Sequence, residues 1–252
     1  MLIDDPWFYV VAVPAVIIAG IGKTGFGGGL GVIAVPLMSL VISPVQAAAI
    51  MLPILCIMDL FGVWAYRGLW DKRNIAIMVP GSLIGIAFGT LPFGYVSVPV
   101  VRILIGVLAI SFTLHHFLLR GSDSAPSSPN LVLGGLSGAL AAYTSFVAHA
   151  GGPPVQAYLL PQRMDKSIFV GTTVFFFFAI NYLKIVPYGI VGQWTTENVS
   201  TALFLGLLAP LGVWAGFRVQ RIVPERPFYR FVYAVLFFVG IKLLWDGASA
   251  FL

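Results

Sequence analysis

The stretch Gly20 to Gly31, GIGKTGFGGGLG, constrains this chain more than any other. Apolar sequence flanks it on both sides, yet five of the seven positions from Gly25 to Gly31 are glycine. A glycine inside a helix costs about 1 kcal/mol relative to alanine, so a helix is predicted to break here. Backbone left unpaired against lipid would cost more, so the break must line a protein-enclosed or wet cavity. A cation, Lys23, stands at the same place.

The surroundings are membrane-grade. Of 252 residues, 59% are hydrophobic and 9% charged, with a mean hydropathy of +0.98, whereas a soluble domain carries about 25% charged residues. Long apolar runs recur at 7–42, 44–66, 74–93, 98–119, 131–161, 166–190, 196–217 and 227–250, so the chain is read as integral to a membrane. The single cysteine, Cys56, excludes an internal disulfide and a cysteine metal cluster. The acidic start MLIDDPWF does not read as a signal peptide. The net charge of +5 reads as loop charge that sets orientation, not as a nucleic-acid surface.

The polar run GSDSAPSSPN, 121–130, reads as a linker and divides the chain near its midpoint. The parts on either side echo each other. Gly28-Gly29 matches Gly151-Gly152, Asp59 and Tyr66 match Asn181 and Tyr188, and Trp70 matches Trp194. Gly85 and Gly89 match Gly212 and Gly216. Each half reads as one long glycine-broken segment followed by three spans.

Charge sets the relative orientation. The loop with Arg67, Lys72 and Arg73 has a counterpart bearing only Glu197, and the uncharged loop 92–97 has a counterpart bearing Arg218, Arg221 and Arg226. Under the positive-inside rule the halves are inverted. Inversion needs an odd number of crossings per half, so the long first segment must return to its own side as a hairpin of two arms of about 16 residues. Both termini then lie outside, and Arg67, Lys72, Arg73, Arg120, Arg163, Lys166, Arg218, Arg221, Arg226 and Arg230 lie inside. The expected fold is an all-α polytopic membrane protein of two inverted repeats, 1–120 and 131–252. Each repeat is a glycine-broken helical hairpin plus three transmembrane helices.

A hairpin tip near mid-membrane presents the N-terminus of its second arm, where free N–H groups and the helix dipole favour an anion. Pro153 and Pro154, after Gly151-Gly152, suit a first helical turn. The Gly-Lys-Thr at 22–24 is no P-loop: that motif needs glycine where Ile17 stands, and a strand before it.

With these motifs in place, GKTGFGGGLGVIAVPLM and GGPPVQAYLLP, the chain resembles the TauE/SafE, or sulfite exporter, family along essentially its whole length. The resemblance implies transport of small sulfur-containing anions such as sulfite or organosulfonates. It also suggests a bacterial inner membrane. The second half departs from the first, because Ser145 stands where Lys23 would match.

The residues expected to bind substrate are Lys23, Thr24, Gly25, Phe26, Gly27, Gly28 and Gly29 at the first tip. At the second they are Ser145, His149, Gly151, Gly152 and Gln156, with Thr144 a weaker candidate. Asp59, Asn181 and Lys184 are candidates for coupling or gating, because a charge within a span is costly unless it works or is paired. Asp59 could equally be a structural partner of a lysine, and Lys184 could snorkel to an interface. Arg102, Lys242 and Asp246 read as snorkelling, His115-His116 as interfacial, and Phe175 to Phe178 as lipid-facing or packed. Trp7, Trp70, Trp194 and Trp245 read as an interfacial belt.

The expected function is a secondary transporter or facilitator that exports a small anion past an inside-negative potential, by alternating access. No enzyme activity, cofactor or metal is expected. The expected partners are the anion, the lipid bilayer and, as one option, a second copy of the chain. An anion channel on the same site is the alternative, and an intramembrane enzyme a remote one.

Overall fold

The computed structural model describes residues 2–90, 97–115 and 125–251. The loop at 92–96, His116, Arg120 and the first part of the linker lie outside the described residues, and of His115 only the backbone is described. Among the described residues there are helices and no strands.

The helices are α1 (Pro6–Phe26), α2 (Ala34–Met38), α3 (Pro44–Ala65), α4 (Lys72–Thr90), α5 (Val98–His115) and α6 (Leu131–Ala148). They continue with α7 (Gly152–Leu159), α8 (Lys166–Ile190), α9 (Thr196–Gly206), α10 (Ala209–Ile222) and α11 (Glu225–Ala248). Among the described residues six stretches are long and apolar enough to cross a membrane: α1, α3, α4, α6, α8 and α11 with its terminal turn. The pair α9–α10, bent by 46°, makes a seventh if taken as one span. The chain is an all-α, multi-pass membrane protein.

Local chemistry sets the ends. Asp5, Ser43, Asn130, Asp165 and Thr195 cap α1, α3, α6, α8 and α9 through side-chain oxygens that accept first-turn N–H groups. The first long segment differs from the expected pair of equal arms. Helix α1 runs 21 residues, about 32 Å, through Gly20, Gly22 and Gly25. The chain turns only at Gly27 and Gly28, whose φ values of 65° and 85° are left-handed. A 3-10 turn, Gly29–Ile33, and the five-residue α2 come next in place of a long second arm. The glycines within α1 are used for close packing instead. A Cβ on Gly20 would lie 2.8 Å from the backbone of Gly212 on α10, and one on Gly25 would lie 3.1 Å from Gly216. Small residues let membrane helices approach this closely. The dense pairings are α1 with α10, α4 with α6, α5 with α11 and α3 with α8.

At one end of the bundle Asn74 and Gln162 exchange side-chain hydrogen bonds, and Lys166 donates to the carbonyls of Gln220 and Val223. Ile3 donates its N–H to Thr201, midway along α9. Trp7 and Trp245 are 71% and 69% exposed, as a belt requires, whereas Trp70 stacks on Phe175 and Trp194 packs beside Tyr188. Lys242 pairs with Asp246 one turn on, at the surface.

Candidate functional site

Two chain reversals meet at the middle of the bundle. Gly27 ends α1 in the left-handed conformation, and His149 ends α6 in the same one, at φ 51°. Gly28 donates its N–H to the Gly22 carbonyl, and Ala150 donates to Thr144. Glycine takes this conformation freely, whereas a histidine held there carries strain.

The cavity between the tips is small, about 40 Å³, and is lined in part by Lys23, Gly28, Ser145, His149, Gly152 and Asn181. Of the substrate-binding residues expected from sequence, Lys23, Gly28, Ser145, His149 and Gly152 are thus brought together. Others have different work. The Thr24 hydroxyl is engaged by the carbonyls of Gly20 and Val213, so it ties α1 to α10. Phe26 packs on Phe228 and Phe231. Gly25 faces Gly216, and Gly27 faces Phe169 and Thr173. Gly151 meets the Ala141 carbonyl, the Phe177 ring and Ser145. Gly29 only begins the 3-10 turn, so the first tip presents no α-helical N-terminus. Gln156 is fully buried and donates to the carbonyls of Phe26 and Gly27, clasping the first tip to the second arm of the other. Thr144 closes its own reversal by donating to Ala141 and Ala150.

The charges are arranged in two ways. Lys23 Nζ lies 2.7 Å from Asp59 Oδ1, both buried. Asn181 Nδ2 donates to the other oxygen, Asp59 Oδ2, at 2.7 Å. Asp59 therefore has the structural-pair geometry that its sequence position allowed, and Lys23 is neutralised. Lys184 is fully buried and does not snorkel. It donates to Ser145 Oγ at 2.9 Å and to the Ser145 carbonyl at 3.2 Å, and its Nζ lies 3.3 Å from His149 Nδ1. Among the described residues no carboxylate pairs with it.

Sequence reading left two roles here undecided. Phe177 takes the packed alternative of the two that the sequence allowed: its ring lines the cavity, lies under Lys23 at 5.5 Å, and would crowd a Cβ on either Gly28 or Gly151 at 3.1 Å. Lys184 supplies the cation that the second hairpin lacks. The signal for both was a helical stripe: Phe177, Asn181, Lys184 and Tyr188 are spaced four, three and four apart, so they share one face of α8. Leu55, Asp59, Gly62 and Tyr66 make the same stripe on α3, 122 residues earlier. The phenols at the stripe ends repeat as well. Tyr66 donates to the Thr24 carbonyl at 2.5 Å and Tyr188 to that of Phe146 at 2.7 Å.

Residues 12–243 match the family model described as sulfite exporter TauE/SafE. The chain belongs to the TauE/SafE family. No curated protein and no solved structure matches it. Membership makes the chain a membrane transporter of the sulfite-exporter type, and the cavity between the reversals is its candidate site.

Proposed function

We propose that this TauE/SafE protein exports sulfite or a related sulfur oxyanion or organosulfonate across a bacterial inner membrane, binding it in the cavity between the two tips. The observation that carries this reading is Lys184, a fully buried cation beside the cavity with no carboxylate partner among the described residues. Burying one unpaired charge is expensive, and such a charge is kept where a ligand completes it. A unit anion 4 Å away would interact with it by about 4 kcal/mol at an effective dielectric of 20. Ser145 and His149, which line the cavity, hold the ammonium just behind its wall, and Lys23 borders the same space.

The two halves, 1–120 and 131–252, act as inverted repeats in this reading, joined by the linker 121–130. The recurrence of reversal, tyrosine clasp and span stripe at one offset supports the repeat. Both termini then lie outside. Asp59 and Asn181 bond to each other from matched positions, so they sit where rocking of one half against the other would be felt. Alternating access results if α3 and α8 slide along this contact, opening the cavity to one side and then the other. Outward movement of one negative charge down an inside-negative potential releases about 2.3 kcal/mol per 100 mV, so export needs no coupling ion.

The test is sulfite efflux from proteoliposomes under an imposed potential, with sulfate and an organosulfonate in parallel. Flux that grows with an inside-negative potential is expected. A folded protein that moves none of the three would overturn the reading.

A further inference from the structure

The charges around the cavity can be counted, and the count says which anions fit. The titratable groups in or just behind its wall come from four places: Lys23 on α1 and His149 at the end of α6 line it, Asp59 and Cys56 on α3 and Lys184 on α8 lie behind, and the Tyr188 phenol is beside the His149 ring. Lys23 and Asp59 cancel. The hydrogen bonds fix the state of His149. Its Nε2 lies 3.0 Å from the Ala48 carbonyl, which only accepts, so Nε2 carries the proton. Its Nδ1 faces the Lys184 ammonium, which only donates, so Nδ1 is bare. The ring is a neutral bridge. Cys56 as a thiol and Tyr188 as a phenol add nothing. The site thus holds one net positive charge, on Lys184.

A second feature agrees. Asp59 needs a donor, so Asn181 must present Nδ2 to it, which turns the amide oxygen away. That oxygen is buried at the cavity wall and has no partner among the described residues. A ligand that brings a hydroxyl would satisfy it.

We infer that the site is matched in charge to a singly charged oxyanion, hydrogensulfite or a monosulfonate, and rejects dianions of similar size such as sulfate. The inference rests on the transporter reading above. A monoanion leaves the occupied site neutral. A dianion leaves a net negative charge between low-dielectric walls, where charge is heavily penalised. Hydrogensulfite has the hydroxyl that the Asn181 oxygen lacks a partner for, and methanesulfonate does not.

Proteoliposome uptake of methanesulfonate (always a monoanion) and sulfate (always a dianion over the working range) is the test, with sulfite at two pH values that change its monoanion fraction. The wild-type protein is expected to carry methanesulfonate at least about tenfold better than sulfate. Sulfite flux should follow the monoanion fraction. Asp59→Asn removes the negative charge and leaves the site with two positive ones, so the preference should move toward sulfate by about tenfold or more. The double variant Lys23→Met/Asp59→Leu keeps one positive charge, and whatever its rate it should keep the monoanion preference. Equal or better sulfate transport by the wild type, or the same ratio in Asp59→Asn as in the wild type, would overturn the inference and leave the transporter standing. Transport of none of the anions by folded wild-type protein would remove both.

Discussion

In the first half of the molecule the hairpin supplies the cation and the span supplies its acceptor: Lys23 on α1 meets Asp59 on α3. In the second half the roles are exchanged, since Ser145 on α6 accepts from Lys184 on α8. The scaffolds are alike, down to a left-handed residue ending each first arm and a tyrosine clasping each arm from its span. Three matched positions differ: Lys23 with Ser145, Asp59 with Asn181 and Gly62 with Lys184. Beside a carboxylate the buried lysine is a structural partner. Away from one, Lys184 is held by Ser145 and His149, and in the proposed reading an anion completes it. Matched positions in the two halves thus diverge in charge while the backbone framework that holds them stays in step.

The largest expected effect comes from breaking the satisfied half. Lys23→Met strands Asp59 in the core and should destabilise the detergent-solubilised protein by about 3–5 kcal/mol, read as thermal unfolding followed by tryptophan fluorescence. Adding Asp59→Leu should restore much of the loss. The same truncation in the other half, Lys184→Met, removes a buried charge that has no carboxylate partner among the described residues, at the cost of the donor to Ser145 and His149, so its loss should be well below that of Lys23→Met. Equal destabilisation by the two single variants would break the comparison.

Close packing is the next effect in size. Gly20→Val forces a branched side chain against the backbone of Gly212, which has nowhere to go, and should cost about 1–3 kcal/mol. The clasps test the shared framework at smaller scale. Tyr66→Phe and Tyr188→Phe each leave a buried carbonyl, on Thr24 and Phe146, without its donor, and each should cost about 1–3 kcal/mol. Similar losses would sharpen the likeness of the halves, and a large inequality would weaken it. The smallest effect on stability but a visible one on transport is expected from Phe177→Leu. It keeps an apolar core residue while opening space between Gly28 and Gly151, so larger sulfonates should gain relative to sulfite in competition assays.

Much of the framework was readable in the sequence. Apolar runs gave the segment limits within a few residues, because membrane spans are the strongest periodic signal a chain carries. The matched pairs Asp59 and Asn181, and Tyr66 and Tyr188, stood out because both recur at an offset of 122 residues, within one residue of that of the glycine breaks. Glycine count alone misplaced the first break, since Gly20 and Gly25 serve helix packing against α10 and only Gly27 and Gly28 need a left-handed backbone. Lys184 was legible as an intramembrane charge, but the choice between snorkelling and a place beside the cavity was not. Its depth depended on α8 continuing through Pro187 to Ile190, and its direction on helix rotation. Its neighbours Leu183 and Ile185 point outward at 38% and 37% exposure. The pairing of Lys23 with Asp59, 36 residues apart, is a tertiary fact that no local pattern states.

The most direct test is potential-driven sulfite flux in proteoliposomes carrying Lys184→Met, in protein whose thermal unfolding shows it folded. The account predicts that the flux disappears while the protein remains folded. Flux at the wild-type rate would contradict it, since the cavity would then be conducting anions without the charge held to attract them.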